Sequence, residues 1–119
     1  MIGGYLGPSF SDEEIEEQLD KSGMIYHKLD DERFIDTVAE ALANDQAVGW
    51  MQGRMEFGPR ALGARSIIAN PRSPNMQKKL NLKVKYRESF RPFAPSVLRE
   101  YVSDWFEYDG DSPYMLLVA

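Results

Sequence analysis

The sequence predicts a layered fold of mixed helices and strands, of the α/β or α+β class, on three observations. Apolar residues recur at helical spacing over 34–42, short apolar runs suited to strands stand at 47–51 and 66–69, and glycine- and proline-rich turns separate such segments. Helical and strand patterns therefore interleave along the chain, and each kind of element must bury one face against another.

Taken in order, residues 3–8 (GGYLGP) are loop-like. Ser11 followed by Glu14 is a capping box, in which each side chain meets the other's free backbone N–H. An acidic helix follows, with Ile15 and Leu19 on one face, and Gly23 stops it. Residues 24–29 (MIYHKL) alternate loosely and predict a strand. Asp30 or Asp31 caps a second helix whose stripe is Phe34, Ile35, Val38, Ala39 and Leu42. Residues 47–51 (AVGWM) and 66–69 (SIIA) predict strands. Ser73-Pro74 predicts a helix start, with Met76, Leu80 and Val84 four apart. Phe90–Pro95 holds two prolines and reads as extended or irregular. A short strand at 96–98, a short helix over 99–107 and a final strand in YMLLVA complete the reading. An apolar strand at the last residue, with no closing turn, leads to the expectation of a piece cut from a larger protein, and Met1-Ile2 ahead of a turn fits the same expectation.

At 119 residues the chain has room for one domain, which can bury roughly two-thirds of its unfolded surface. The 43% hydrophobic and 12% aromatic content argues against disorder. The absence of cysteine rules out disulfides and thiolate metal sites, and fits a reducing, cytoplasmic setting. No apolar run of membrane-spanning length and no basic-then-apolar leader is present. With His27 as the one histidine, a histidine metal centre or a Ser-His-Asp triad within this chain is not expected.

Charge is the informative anomaly. Between Arg54 and Arg99 stand 11 Lys/Arg and two acids, Glu56 and Glu88, a net of +9, whereas the remaining residues hold 3 bases and 17 acids. A basic island in an acidic chain asks for an anionic partner. Within it Gly53-Arg54, Gly58-Pro59-Arg60 and Gly63-Ala64-Arg65-Ser66 pair glycine with arginine three times. Arginine is a planar fork of donors matched to phosphate and carboxylate, and glycine lets the backbone approach a ligand. No Walker loop is present. The pattern points to an arginine-lined pocket for a compact anion, with Arg54, Arg60, Arg65 and Ser66 as first candidates and Lys85, Arg87 and Arg91, interleaved with Tyr86, Phe90 and Phe93, as a second group. Arg72 stays undecided. The alternative is a solvated basic face with glycines serving turns, the reading preferred for Lys78, Lys79 and Lys83. Glu56 and Glu88 are expected to hold arginines as ion-pair partners, with general base or magnesium ligand as the other possibilities. His27 reads as an ordinary strand residue.

The run GRMEFGPRALGARSI (53–67) resembles the C-terminal region of the antibiotic and nodulation-factor O-carbamoyltransferases. The likeness continues through Asn70-Pro71-Arg72, Met76, Leu80-Asn81, Lys85, Arg87-Glu88 and FRPFAPSVL (90–98), and touches Gly7-Pro8 and Ser112–Met115. The resemblance implies residues 1–119 are part of a C-terminal YrdC-like domain, a twisted mixed sheet with flanking helices. It implies a separate N-terminal actin-like domain of the same polypeptide, absent from this chain, which binds a metal and transfers carbamoyl to a hydroxyl. It implies carbamoyl phosphate and ATP with Mg2+ as ligands, and carbamoyl adenylate as product. The fragment alone is then expected to lack activity.

Two alternatives stay open. A basic block with interleaved aromatics suits a single-stranded nucleic acid, but a pI of 4.9 opposes a long polyanion and favours a small one. A non-catalytic structural or interaction fragment is the other.

Overall fold

A computed structural model describes residues 3–119, so Met1 and Ile2, and the reading placed on them, lie outside the described residues. The chain divides into two compact units, one ending at Ala69 and one spanning Asn70–Ala119. Their elements are α1 (Asp12–Lys21), α2 (Asp31–Ala43), β1 (Val48–Met51) and β2 (Arg65–Ile68) in the first, then α3 (Met76–Lys83), a 3-10 turn at Arg99–Tyr101 and α4 (Val102–Trp105) in the second. The fold is thus mixed α+β, as the interleaved patterns predict.

The local signals act where they were expected. The Ser11 hydroxyl accepts the Glu14 N–H at 3.2 Å and the Glu14 carboxylate accepts the Ser11 N–H at 2.8 Å. Asp12, Glu13 and Glu14 then lie at the positive end of the helix dipole, with Lys21 at the other. Behind Lys21 the chain closes as a Schellman motif, in which Met24 donates to the Leu19 carbonyl and Gly23 to that of Asp20. Asp30, not Asp31, caps α2 by accepting the Arg33 N–H at 2.9 Å. β1 and β2 pair antiparallel, with Val48 opposite Ile68 and Trp50 opposite Ser66. α2 covers one side of this ribbon by stacking Phe34 on Trp50, ring centroids 5.4 Å apart.

Several expected elements are not formed. Residues 24–29, 96–98 and 114–119 make no strand, and the described sheet has two antiparallel strands rather than a mixed set. A strand exists only with a ladder partner, and these segments have none among the described residues. Their side chains stay in solvent accordingly, with Ile25 95% and Leu116 74% exposed. Ser73-Pro74 forms a turn rather than the start of α3, whose N-cap is Asn75. The predicted spacing of α3 buries Met76 and Leu80, while Val84 falls at the C-cap and is 40% exposed.

Candidate anion-binding site

In the first unit the N-terminal loop lies beside residues 55–57. Gly7 donates to the Met55 carbonyl and Met55 to that of Pro8, both at 2.9 Å, and Phe57 donates to Gly4 at 2.7 Å. The approach is close enough to demand glycine, because a Cβ on Gly7 would fall 2.9 Å from the Met55 carbonyl oxygen. The Tyr5 hydroxyl donates to the Leu62 carbonyl at 2.7 Å. Beside these contacts lies an open, solvent-facing cavity of about 460 Å³ lined by Tyr5, Gln52, Gly53, Arg54, Gly63 and Ala64.

The arginines around this cavity differ in how they are used. Arg54 donates Nη2 to the Leu6 carbonyl at 3.2 Å and so ties the N-terminal loop down. Arg65 directs Nη1 to the carbonyls of Gln52, Gly53 and Ala64 and Nη2 to Gly53, at 2.8–3.3 Å, so its fork braces the turn that follows β1. The Ser66 hydroxyl, on β2, accepts the Gly63 N–H of the preceding loop at 3.0 Å. Arg60 is exposed on the 57–63 loop and makes no hydrogen bond or ion pair to a described residue. It is the guanidinium of this group most available to a ligand.

Glu56 does not pair with an arginine as expected. It is 5% exposed, and its Oε1 accepts the N–H groups of Leu62 and Ala64 at 2.7 Å and of Arg65 at 3.1 Å. Burial alone would raise its carboxyl. The main-chain N–H groups of Glu56 itself, Leu62, Arg65 and Ala64 outweigh that and hold it down to about 2. A permanent carboxylate thus serves as the internal anion of the 62–65 loop, shaping the wall that Gly63 and Ala64 give the cavity. Gly63 takes φ 103°, a region that residues with a Cβ rarely adopt.

The second unit carries Lys85, Arg87 and Arg91. Arg91 pairs through Nε with Glu88 at 2.9 Å, so Glu88 does fill its expected role. Arg87 stacks on Phe93, its Cζ 4.9 Å from the ring centroid, and donates Nε to the Asn81 Oδ1 at 2.6 Å. The Lys85 side chain has no partner among the described residues. Arg72 bonds the Asn70 carboxamide through Nε at 3.0 Å, a local turn contact. Sequence reasoning named Asn81 only as part of the family likeness and passed over Gln77, yet both tie the 89–91 backbone to α3: Asn81 Nδ2 reaches the Ser89 and Arg91 carbonyls, and Gln77 reaches those of Phe90 and Arg91. The available signal was a pair of amides four apart beside the apolar positions of α3. Tyr5 had no local signal at all. Among the described residues no group of three or more His, Cys, Asp or Glu could hold a metal ion, and no helix is long and apolar enough to cross a membrane.

Residues 39–119 match the family model described as Carbamoyltransferase C-terminus. An uncharacterized protein of Synechocystis sp. is 60% identical over 121 residues, which cover 100% of this chain and 20% of that protein. The nodulation protein NolO of Bradyrhizobium diazoefficiens is 47% identical over 121 residues, 97% of this chain and 22% of that protein. The 3'-hydroxymethylcephem-O-carbamoyltransferase of Amycolatopsis lactamdurans is 43% identical over 81 residues, 68% of this chain and 15% of that enzyme. The chain belongs to the carbamoyltransferase C-terminus family, as the 53–98 motifs indicate. It spans about a fifth of the length of the first two of these relatives.

Proposed function

We propose that the chain is the part of an O-carbamoyltransferase that receives carbamoyl phosphate and ATP, in a YrdC-like domain working with a metal-binding N-terminal domain of the same polypeptide. The observation that carries the reading is the glycine–arginine loop over 53–66. It is organised by an internal carboxylate and a cavity of about 460 Å³, and it leaves Arg60 uncommitted. Two phosphate-bearing reactants repel each other, and fixed guanidinium groups offset that repulsion as well as charge that develops during transfer. For the atoms to balance, carbamoyl phosphate first loses phosphate to water. The resulting carbamate oxygen then bonds the α-phosphorus of ATP, and the bond to pyrophosphate breaks. Arg54, Arg60, Arg65 and Ser66 are assigned to one anion subsite, with Arg65 bracing its wall, and Lys85, Arg87 and Arg91 to another, with Arg91 held by Glu88. Magnesium would arrive on the nucleotide, since these residues offer it no carboxylate cluster, and no step is routed through it.

The test is calorimetric titration of the full-length protein with each ligand, together with assay of pyrophosphate release. Binding of both at millimolar concentration or tighter is expected, and Arg60→Ala should raise a KM without lowering thermal stability. No binding of either ligand, with turnover indifferent to Arg60→Ala, would sink the reading. A competing reading takes Tyr86 and Phe90, 85% and 77% exposed, as stacking platforms for single-stranded nucleic acid. A steep salt dependence of binding to an oligonucleotide would favour it.

A further inference from the structure

Asn81 is the one fully buried large side chain among the described residues, at 0% exposure, and it is polar. An apolar residue of the same shape would fill that space without needing partners. Asn81 instead uses both of its side-chain donors and one of its two acceptor sites within one loop. Nδ2 donates to the Ser89 carbonyl at 3.1 Å and to that of Arg91 at 2.8 Å, and Oδ1 accepts Nε of Arg87 at 2.6 Å. Its main-chain carbonyl also accepts the Arg87 N–H at 2.9 Å, so one residue grips Arg87 at both backbone and guanidinium. The residue before Arg87 is held at strain: Tyr86 takes φ 50°, a conformation that a bulky side chain rarely adopts. Phe93 covers one flat side of the guanidinium.

We propose that Asn81 is a positioning residue that aims Arg87 end-on at a phosphoryl group. The Nε edge is occupied by Asn81 and one ring face by Phe93. What remains for a ligand is the Nη1/Nη2 end, a pair of nitrogens spaced to take two oxygens of one phosphate. A staple between helix and loop would need only the two Nδ2 bonds. The short bond to Nε is the one that fixes the fork's direction. This inference rests on the assignment of Arg87 to an anion subsite.

The experiment uses the full-length enzyme and the KM values of carbamoyl phosphate and of ATP, in a cycle of Arg87→Ala, Asn81→Leu and the double variant. Each single variant is expected to raise the KM of the same substrate about 10- to 100-fold, with the double no worse than Arg87→Ala alone. Arg87→Lys, which keeps the charge and loses the fork, should be as impaired as Arg87→Ala. If Arg87→Ala leaves both KM values unchanged, the anion subsite fails and the inference with it. If Arg87→Ala raises one KM but Asn81→Leu does not, or the two effects multiply, the subsite stands and the positioning role is overturned. If Arg87→Lys restores the KM, direction is irrelevant and the inference is likewise overturned. That last arm decides the matter even if Asn81→Leu does not fold.

Discussion

Replacing Glu56 by glutamine should loosen the 62–65 loop by an amount that two routes give alike. Glutamine keeps one acceptor oxygen but loses the charge behind three backbone hydrogen bonds. A charged partner adds about 1 kcal/mol to each bond, so the loss is about 2–3 kcal/mol. The second route is linkage: a carboxyl held at about 2 instead of 4.5 corresponds to about 3 kcal/mol at neutral pH. Its folded value is depressed, so this stability is present above the unfolded value near 4.5 and is lost as pH falls toward 2. Hydrogen exchange of peptides covering 60–66 in the full-length protein reads the opening directly. At pH 7 the Leu62, Ala64 and Arg65 amides of Glu56→Gln should exchange about 30- to 150-fold faster than wild type. The ratio between the two proteins should shrink between pH 4.5 and 2. Exchange within twofold of wild type at pH 7, or a ratio that stays constant down to pH 2, would refute the reasoning.

Three further outcomes follow from the geometry. Gly63→Ala meets no atom within 4 Å, so its cost is the φ 103° backbone alone, about 1–3 kcal/mol, visible in the same exchange experiment. Asp30→Ala removes the cap that accepts the Arg33 N–H and should cost α2 about 1 kcal/mol, read as faster exchange over 31–36. Arg65→Ala should lower the thermal midpoint of the full-length protein, because its fork braces three carbonyls, whereas Arg60→Ala should leave that midpoint within a degree or two. Equal effects of the two substitutions would erase the distinction between a bracing and an available arginine.

Local chemistry carried the legible part of the fold. Ser11 with Glu14, Asp30 ahead of Phe34, and the paired runs ending at Met51 and Ile68 each specify their element through neighbours in sequence. The failed strands at 24–29 and 114–119 have the right side chains, but a strand is defined by a partner and composition cannot supply one. The site was legible as charge and illegible as geometry. Six arginines look alike in a sequence, yet Arg65 is spent on carbonyls, Arg91 on Glu88 and Arg72 on Asn70, while Arg60 is not spent at all. Glu56 looked like a counter-ion for arginine because nothing local announces that a carboxylate will collect backbone N–H groups six to nine residues ahead.

The bond from Tyr5 to Leu62 crosses 57 residues, and that separation imposes an order in time. Synthesis at about 5–20 residues per second puts roughly 3–11 s between the emergence of the first partner and the second. The capping box of α1 and the Asp30 cap of α2 can close within microseconds of leaving the ribosome. The cavity wall cannot, because residues 4–8 leave the ribosome well before the glycine–arginine loop that receives them.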